Sequence, residues 1–186
     1  FDPPGFAILD EILVSIGFGL SLVEEDDARE AQWAIREAAG RQTFYYRAVV
    51  TPEQGRGGRF EAPGVVEVSS LGEPYDTARQ TIVGQAKAQS ADVRSFTTEV
   101  LRHLNDPDPD ENTELLLTRG RSPGMRAQLA VALLARAGVP ARVTYGLKLE
   151  DGERQARFEP VLEIWDNATW RWFDPDTGGE GLPTNM

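Results

Sequence analysis

The 186-residue sequence contains no cysteine and a single histidine, His103. Without cysteine the chain has no disulfide, no thiolate metal ligand and no thiol nucleophile. One histidine cannot supply a multi-histidine metal site, and we interpret His103 as a polar residue near the end of a peripheral helix. Thiol-based acyl transfer and zinc chemistry on cysteine or clustered histidine are therefore excluded for this chain.

Positive charge and long apolar runs are also scarce. The chain has 19 Lys and Arg against 30 Asp and Glu, a formal net charge of −11. Nucleic acids and anionic membranes bind surfaces with clustered positive charge, so the net negative charge argues against both as partners. The stretch from Ala130 to Ala135 falls far short of the ~20 apolar residues that a bilayer requires. Because the chain begins at Phe1 rather than Met, we expect a piece of a longer protein, and the missing targeting segment says nothing about where that protein is located.

The first fifty residues combine two periodicities. Apolar residues at helical spacing predict a short amphipathic helix at the start. These residues are Leu9, Ile12, Leu13 and Ile16. Alternating patterns then predict strands around residues 18–22, 31–35 and 43–50, which together form a three-strand meander. Three strands are too few to be stable alone, so this segment must pack on something else.

The composition changes after residue 50 and defines the predicted domain organisation. Residues 1–50 form a β-rich N-terminal segment, and residues 51–74, rich in Gly, Pro, Glu and Arg, form a linker. Residues 75–186 form the main domain. Asp76 is expected to cap its first helix, and a second helix runs from about Asp92 to Leu104 with one apolar face.

A buried helix and an antiparallel meander complete the main domain. Ser122 and Pro123 are typical of a helix start, and Gly138 is typical of a helix end. Strands are predicted over 141–149, 155–165 and 169–173. Turns are predicted at Asp151–Gly152 and Asp166–Asn167. Helices followed by a meander make an α+β fold.

The acidic loop from Asn105 to Asn112 invites comparison with a calcium site. An EF-hand loop requires Gly at its sixth position and Glu at its twelfth. Those positions hold Glu111 and Leu117. We therefore predict a solvated turn rather than a metal site, and no cofactor.

The run from Met125 to Gly146 resembles the core of the transglutaminase-like superfamily, which has a cysteine-protease-like (papain-like) fold. The shared features are a buried helix, a Gly-Val-Pro-Ala-Arg junction and a following strand. The Trp-Arg-Trp-Phe-Asp-Pro element over 170–175 is similar to the same superfamily. More broadly, the whole chain resembles the inactive transglutaminase-like domain that bacteria fuse to seven transmembrane helices. The segments that carry this wider resemblance are residues 17–19, 42–47, 105–106, 146–152, 160–165 and 181–183.

The superfamily resemblance implies where a catalytic triad would lie. Active members place Cys at the start of the buried helix, His on the second strand and Asp after the third. Matched by spacing, these positions hold Pro123, Glu159 and Asp174. Pro123 and Glu159 lack the thiol and the imidazole that the triad requires, so the resemblance implies a pseudoenzyme.

The same resemblance implies a periplasmic or extracytoplasmic domain that adjoins its own transmembrane bundle. We expect a non-catalytic binding or sensing domain for a peptide, another envelope ligand or a partner protein. The candidate ligand-binding residues are Glu159, Asp174, Trp165, Trp172 and Ser122. Two alternatives remain: a structural module that docks a protein, and a hydrolase that uses the carboxylate pair Glu159 and Asp174.

Overall fold

A computed structural model of the protein describes residues 6–14, 17–25, 28–42, 44–52, 63–148 and 157–182. The chain divides into two compact units, Phe1–Gly58 and Arg59–Met186. Among the described residues, the regular elements of the first unit are all strands, and the second unit contains four helices and a three-stranded sheet. The α+β class is therefore confirmed.

The first unit consists of two antiparallel strand pairs. The longer pair joins β1 (Phe6–Val14) to β4 (Tyr45–Pro52), and the shorter joins β2 (Gly19–Glu25) to β3 (Ala28–Ala34). The helix predicted at the start is therefore wrong. The three predicted strands are present as β2, β3 and β4, but β4 pairs with β1 and not with β3, so the predicted meander is wrong. The apolar spacing in β1 was ambiguous because a register shift between Ile8 and Asp10 interrupts its alternation.

Side chains of the first unit stay accessible. Phe44 packs against Phe18 and Trp33, with ring centroids 5.0 and 5.5 Å apart. The Trp33 indole N–H donates to the Val14 carbonyl at 3.2 Å. None of the unit's residues whose burial the structure describes is buried. Its exposed large apolar residues are Leu9, Ile12, Leu22, Val23, Ile35, Phe44, Tyr45, Tyr46 and Val49.

The second unit begins with helix α1 (Tyr75–Ala88), whose N-cap is Pro74 and not the predicted Asp76. Asp76 lies inside the first turn, where its carboxylate accepts hydrogen bonds from the Ser70 hydroxyl and the Leu71 and Gly72 amides. The Ser70 hydrogen bond is the main reason that the pKa of Asp76 lies below its ordinary value. Residues 70–72, inside the predicted linker, are thus held against α1. Residues 53–62 of that linker lie outside the described residues.

Helix α2 (Val93–Asn105) follows the predicted pattern. Asp92 caps it through a reciprocal capping box with Ser95. The acidic loop after α2 contains a helix that the sequence analysis did not predict, α3 (Glu111–Leu117). Asp110 caps α3 by accepting from the Thr113 amide at 2.7 Å. One acidic residue of that loop is therefore a helix cap.

Helix α4 (Pro123–Arg136) begins and ends as predicted. Ser122 is its N-cap and Pro123 occupies the first turn. At the other end Gly138 has φ +82°, and the Val139 amide donates to the Leu134 carbonyl at 3.0 Å. The Gly138 amide bonds the Ala135 carbonyl at 2.9 Å, which completes a Schellman motif.

Three antiparallel strands form one sheet in the order β5 (Ala141–Lys148), β6 (Arg157–Asp166) and β7 (Thr169–Phe173). All three predicted strands are confirmed. The turn between β6 and β7 lies at Asn167 and Ala168, both with positive φ, one residue later than predicted. The predicted Asp151–Gly152 turn lies outside the described residues.

Helix α4 packs on one face of this sheet, and helices α1 and α2 pack against α4. The core joins apolar residues of all four helices to strand residues Ala141, Leu162, Ile164 and Phe173. Helix α4 contacts both β5 and β6, as expected of a central helix. The opposite sheet face, which we call the outer face, carries the alternate residues of the strands. No helix in the described part of the chain is both long and apolar enough to cross a membrane.

We predict opposite effects for two glycine-to-alanine substitutions. Gly138→Ala should destabilise the second unit by about 1–2 kcal/mol, because a side chain at φ +82° is strained although no atom lies within 4 Å. Gly84→Ala, in the exposed middle of α1 and equally unobstructed, should stabilise it by about 0.5–1 kcal/mol. Urea unfolding measures both, and a loss at both positions would contradict this interpretation of Gly138.

Candidate functional site

The start of α4 offers no reactive group. The Ser122 hydroxyl accepts a hydrogen bond from the Met125 amide at 3.3 Å, so the side chain serves as the helix cap. Pro123 has neither an ionisable nor a nucleophilic atom. Tyr145 of β5 lies close by, since a methyl group added to Gly124 would be 3.8 Å from its hydroxyl. The surroundings of this helix end thus include a phenol, and Arg126 in the first turn of α4 pairs with Asp176.

Glu159 lies on the other side of the sheet from α4. Leu162 and Ile164 of β6 belong to the core beneath the helices, so the alternate residues point to the outer face. Glu159 is one of these, and its carboxylate is 3.7 Å from the Lys148 ammonium. The structure therefore does not bring Glu159 together with Ser122 and Pro123.

Asp174 closes a turn after β7. Its carboxylate accepts hydrogen bonds from the Asp176 amide at 2.8 Å and the Thr177 amide at 3.4 Å. Its own backbone bonds Gly178 and Gly179. The nearby turn also bonds α2, because the Asn105 amide donates to the Pro175 carbonyl at 2.8 Å. Asp174 thus has a structural function in this turn.

Two of the predicted ligand-binding residues, Trp165 and Trp172, lie on the outer face of neighbouring strands. Trp165 and Trp170 pack edge to face across β6 and β7, with centroids 5.4 Å apart. The Trp172 indole N–H donates to Glu163 Oε1 at 2.7 Å. Arg142 of β5 donates from Nε to Glu163 Oε2 at 2.5 Å, and its guanidinium lies over the Trp170 ring at 4.0 Å. We call this group the tryptophan surface: Arg142, Glu163, Trp165, Trp170 and Trp172.

The charges of the tryptophan surface are unequally exposed. The side chain of Glu163 is 4% exposed and that of Arg142 is 51% exposed. Each Glu163 oxygen accepts one hydrogen bond, so the buried carboxylate is neutralised and satisfied. The three tryptophans are half-buried. The result is an aromatic surface with one fixed, partly exposed cation. The Glu159–Lys148 pair lies on the same face, four residues along β6 from Glu163.

Glu163 and Arg142 were not predicted as members of a site. A signal was present, because Glu163 is the one charged residue in the apolar run from Val161 to Trp165. A charge on a central strand requires a partner. The predicted turn at Asp151–Gly152 places β5 opposite β6, which makes Arg142 an available cation.

Other potential sites are sparse in the described residues. No group of three or more His, Asp or Glu side chains there could hold a metal ion. Two shallow surface depressions flank α2 and share Arg102. Neither contains a predicted ligand-binding residue or a member of the tryptophan surface.

One comparison with known proteins gives a match. Residues 1–120, or 120 of 186 residues, match a family described as inactive transglutaminase fused to 7 transmembrane helices. No curated protein and no solved structure matches the chain. The matched range covers the first unit and helices α1, α2 and α3, and ends before α4. The family accounts for a non-catalytic domain and for a transmembrane region in the parent protein. The chain belongs to the family of inactive transglutaminases fused to seven transmembrane helices.

Proposed function

We propose that this domain is a non-catalytic binding domain, and that the tryptophan surface is where its ligand binds. The observation that carries the proposal is the clustering of three half-buried tryptophans around a fixed Arg142 guanidinium on the outer sheet face. Aromatic surfaces with a few oriented polar groups are the usual composition of ligand sites. A peptide or another envelope ligand suits this surface.

The residues at the start of α4 support a binding function without catalysis. Pro123 stands where the resemblance places the catalytic Cys, and Ser122 is engaged as the helix cap. Glu159 and Asp174 lie in different settings, one paired with Lys148 and the other bonded to turn amides. Neither carboxylate is bonded to the other or to a shared partner, whereas a carboxylate-dependent hydrolase needs both at one site.

The family supports a location at a membrane. A domain fused to a transmembrane bundle lies on one side of a bacterial membrane, and we propose the extracytoplasmic side, from which binding is relayed to the bundle. Limited proteolysis of spheroplasts that carry the parent protein tests this placement. Cleavage of the domain in intact spheroplasts is the expected result, and protection until lysis would refute it.

Thermal unfolding against a ligand panel tests the binding function. The panel contains envelope-derived peptides, glycan fragments and divalent cations. A ligand at 100 times its dissociation constant should stabilise the chain by about 2.7 kcal/mol. We expect Trp165→Phe and Trp172→Phe to weaken that stabilisation, and Trp33→Phe in the first unit to leave it unchanged. Stabilisation that all three variants retain would exclude the tryptophan surface.

A second candidate function is docking of a partner protein through the first unit. It is favoured by that unit's nine exposed large apolar residues. Contiguous exposed apolar area is typical of interaction surfaces. Crosslinking from position 22 or 45 in the intact membrane protein should then capture an envelope neighbour. Capture that persists after Leu22→Lys and Tyr45→Lys would contradict docking through this unit.

A further inference from the structure

The Arg142 guanidinium is held in a way that differs from other arginines of the described residues. Its Nε is bonded to the buried Glu163 carboxylate, and its plane rests on the Trp170 ring. Arg102 is bonded through the same atom to Glu99 at 2.7 Å and is 53% exposed, but no aromatic ring is recorded beneath it. The Arg142 guanidinium is thus held by both a carboxylate and an aromatic ring, and about half of its side chain remains exposed to solvent.

Fixing Nε leaves the two Nη groups of Arg142 available. No hydrogen bond from either Nη group to another part of the described chain is recorded, and the side chain is 51% exposed. A guanidinium presents donors in a planar fork that matches a carboxylate. Because Glu163 and Trp170 hold the side chain, little rotamer entropy remains to be lost on binding.

We propose that Arg142 recognises a carboxylate of the ligand, with the adjoining part of the ligand lying on Trp165 and Trp170. The inference rests on the proposed binding function and names the ligand chemistry. The carboxylate belongs to a peptide and is either its C-terminal group or an Asp or Glu side chain.

Charge favours a carboxylate over a phosphate. The chain carries a net charge of −11, and the Glu163 carboxylate lies against the guanidinium on the outer face. Negative charge of the protein repels a dianionic phosphate more strongly than it repels a planar, monoanionic carboxylate. The edge-to-face Trp165–Trp170 pair offers apolar area for the residue next to the carboxylate.

The test is a nuclear magnetic resonance titration of the whole 186-residue chain, read on the indole N–H signals of its four tryptophans. The probes are acetyl-Gly-Leu-Ala as free acid and as amide, acetyl-Leu-Glu-Ala amide with its Gln analogue, and inorganic phosphate. We expect an acid form to bind about tenfold or more tightly than its neutral analogue, through charge-assisted hydrogen bonds. The arm that binds identifies the source of the carboxylate.

Arg142→Lys is the decisive variant, because it keeps a cation beside Glu163 and removes the planar fork. It should abolish the preference for the acid form. Arg102→Lys, which matches Arg142 in exposure and pairing geometry, should leave the preference intact. An unchanged unfolding midpoint shows that each variant is folded.

Three results would overturn the inference. Equal affinity for acid and neutral peptides refutes carboxylate recognition while the binding function stands. Phosphate that binds as tightly as the peptides refutes the choice of anion. No signal change with any probe at millimolar concentration also refutes it, and the binding function itself then fails only if the thermal panel is negative as well.

Discussion

Phe173→Ala should lower the free energy of unfolding of the second unit by about 3–5 kcal/mol. Phe173 is the last residue of β7, is 1% exposed and belongs to the core beneath the helices. Removing its ring loses the transfer free energy of an aromatic side chain and leaves a cavity that a strand edge fills poorly. Since domains are stable by only about 5–15 kcal/mol, this loss is a large share. Urea unfolding with an unchanged m-value measures it.

Phe158→Ala is the matched control. Phe158 is also on the sheet, in β6, but is 74% exposed. Its replacement should change the unfolding free energy by no more than about 0.5 kcal/mol. Equal losses at both positions would contradict the described boundary of the core, since they would require Phe158 to be covered.

Much of the second unit was predictable because its helix ends obey local rules. Asp92, Ser122 and Gly138 each satisfy helix-end groups with a side chain or a left-handed backbone, so the sequence alone located these boundaries. The first unit was less predictable. Its β1 strand pairs with β4, more than thirty residues away, and apolar spacing within β1 carries no information about that distant partner.

The candidate site was predictable only in part. Residue types located Trp165 and Trp172, but strand parity decided which positions share a face. Glu159 lies one residue before Pro160, which is paired with Tyr145, and that single step moves a side chain from the face of α4 to the outer face. The predicted turn also could not fix the register between β5 and β6. A two-residue turn at Asp151–Gly152 would pair Arg142 with Val161, whereas the structure pairs Arg142 with Glu163.

Glu163→Ala should destabilise the second unit by about 2–3 kcal/mol. The substitution removes the acceptor of both the Trp172 indole N–H and the Arg142 guanidinium. Breaking a fully buried pair costs about 3–5 kcal/mol, but Arg142 is half exposed and regains water, so we expect a smaller loss. Urea unfolding gives the loss of stability, and the Trp172 indole N–H signal should move as its hydrogen bond breaks.

Glu159→Ala separates this effect from a general loss of negative charge. Glu159 lies on the same strand and face, but it is 36% exposed and its contact with Lys148 is 3.7 Å long. Exposed ion pairs contribute roughly 0–1 kcal/mol, so its removal should cost less than about 1 kcal/mol. A cost at Glu159 equal to that at Glu163 would mean that burial does not distinguish the two carboxylates. Glu163 would then not be the group that holds Arg142 in place, and Arg142 would not be a preorganised cation on the tryptophan surface.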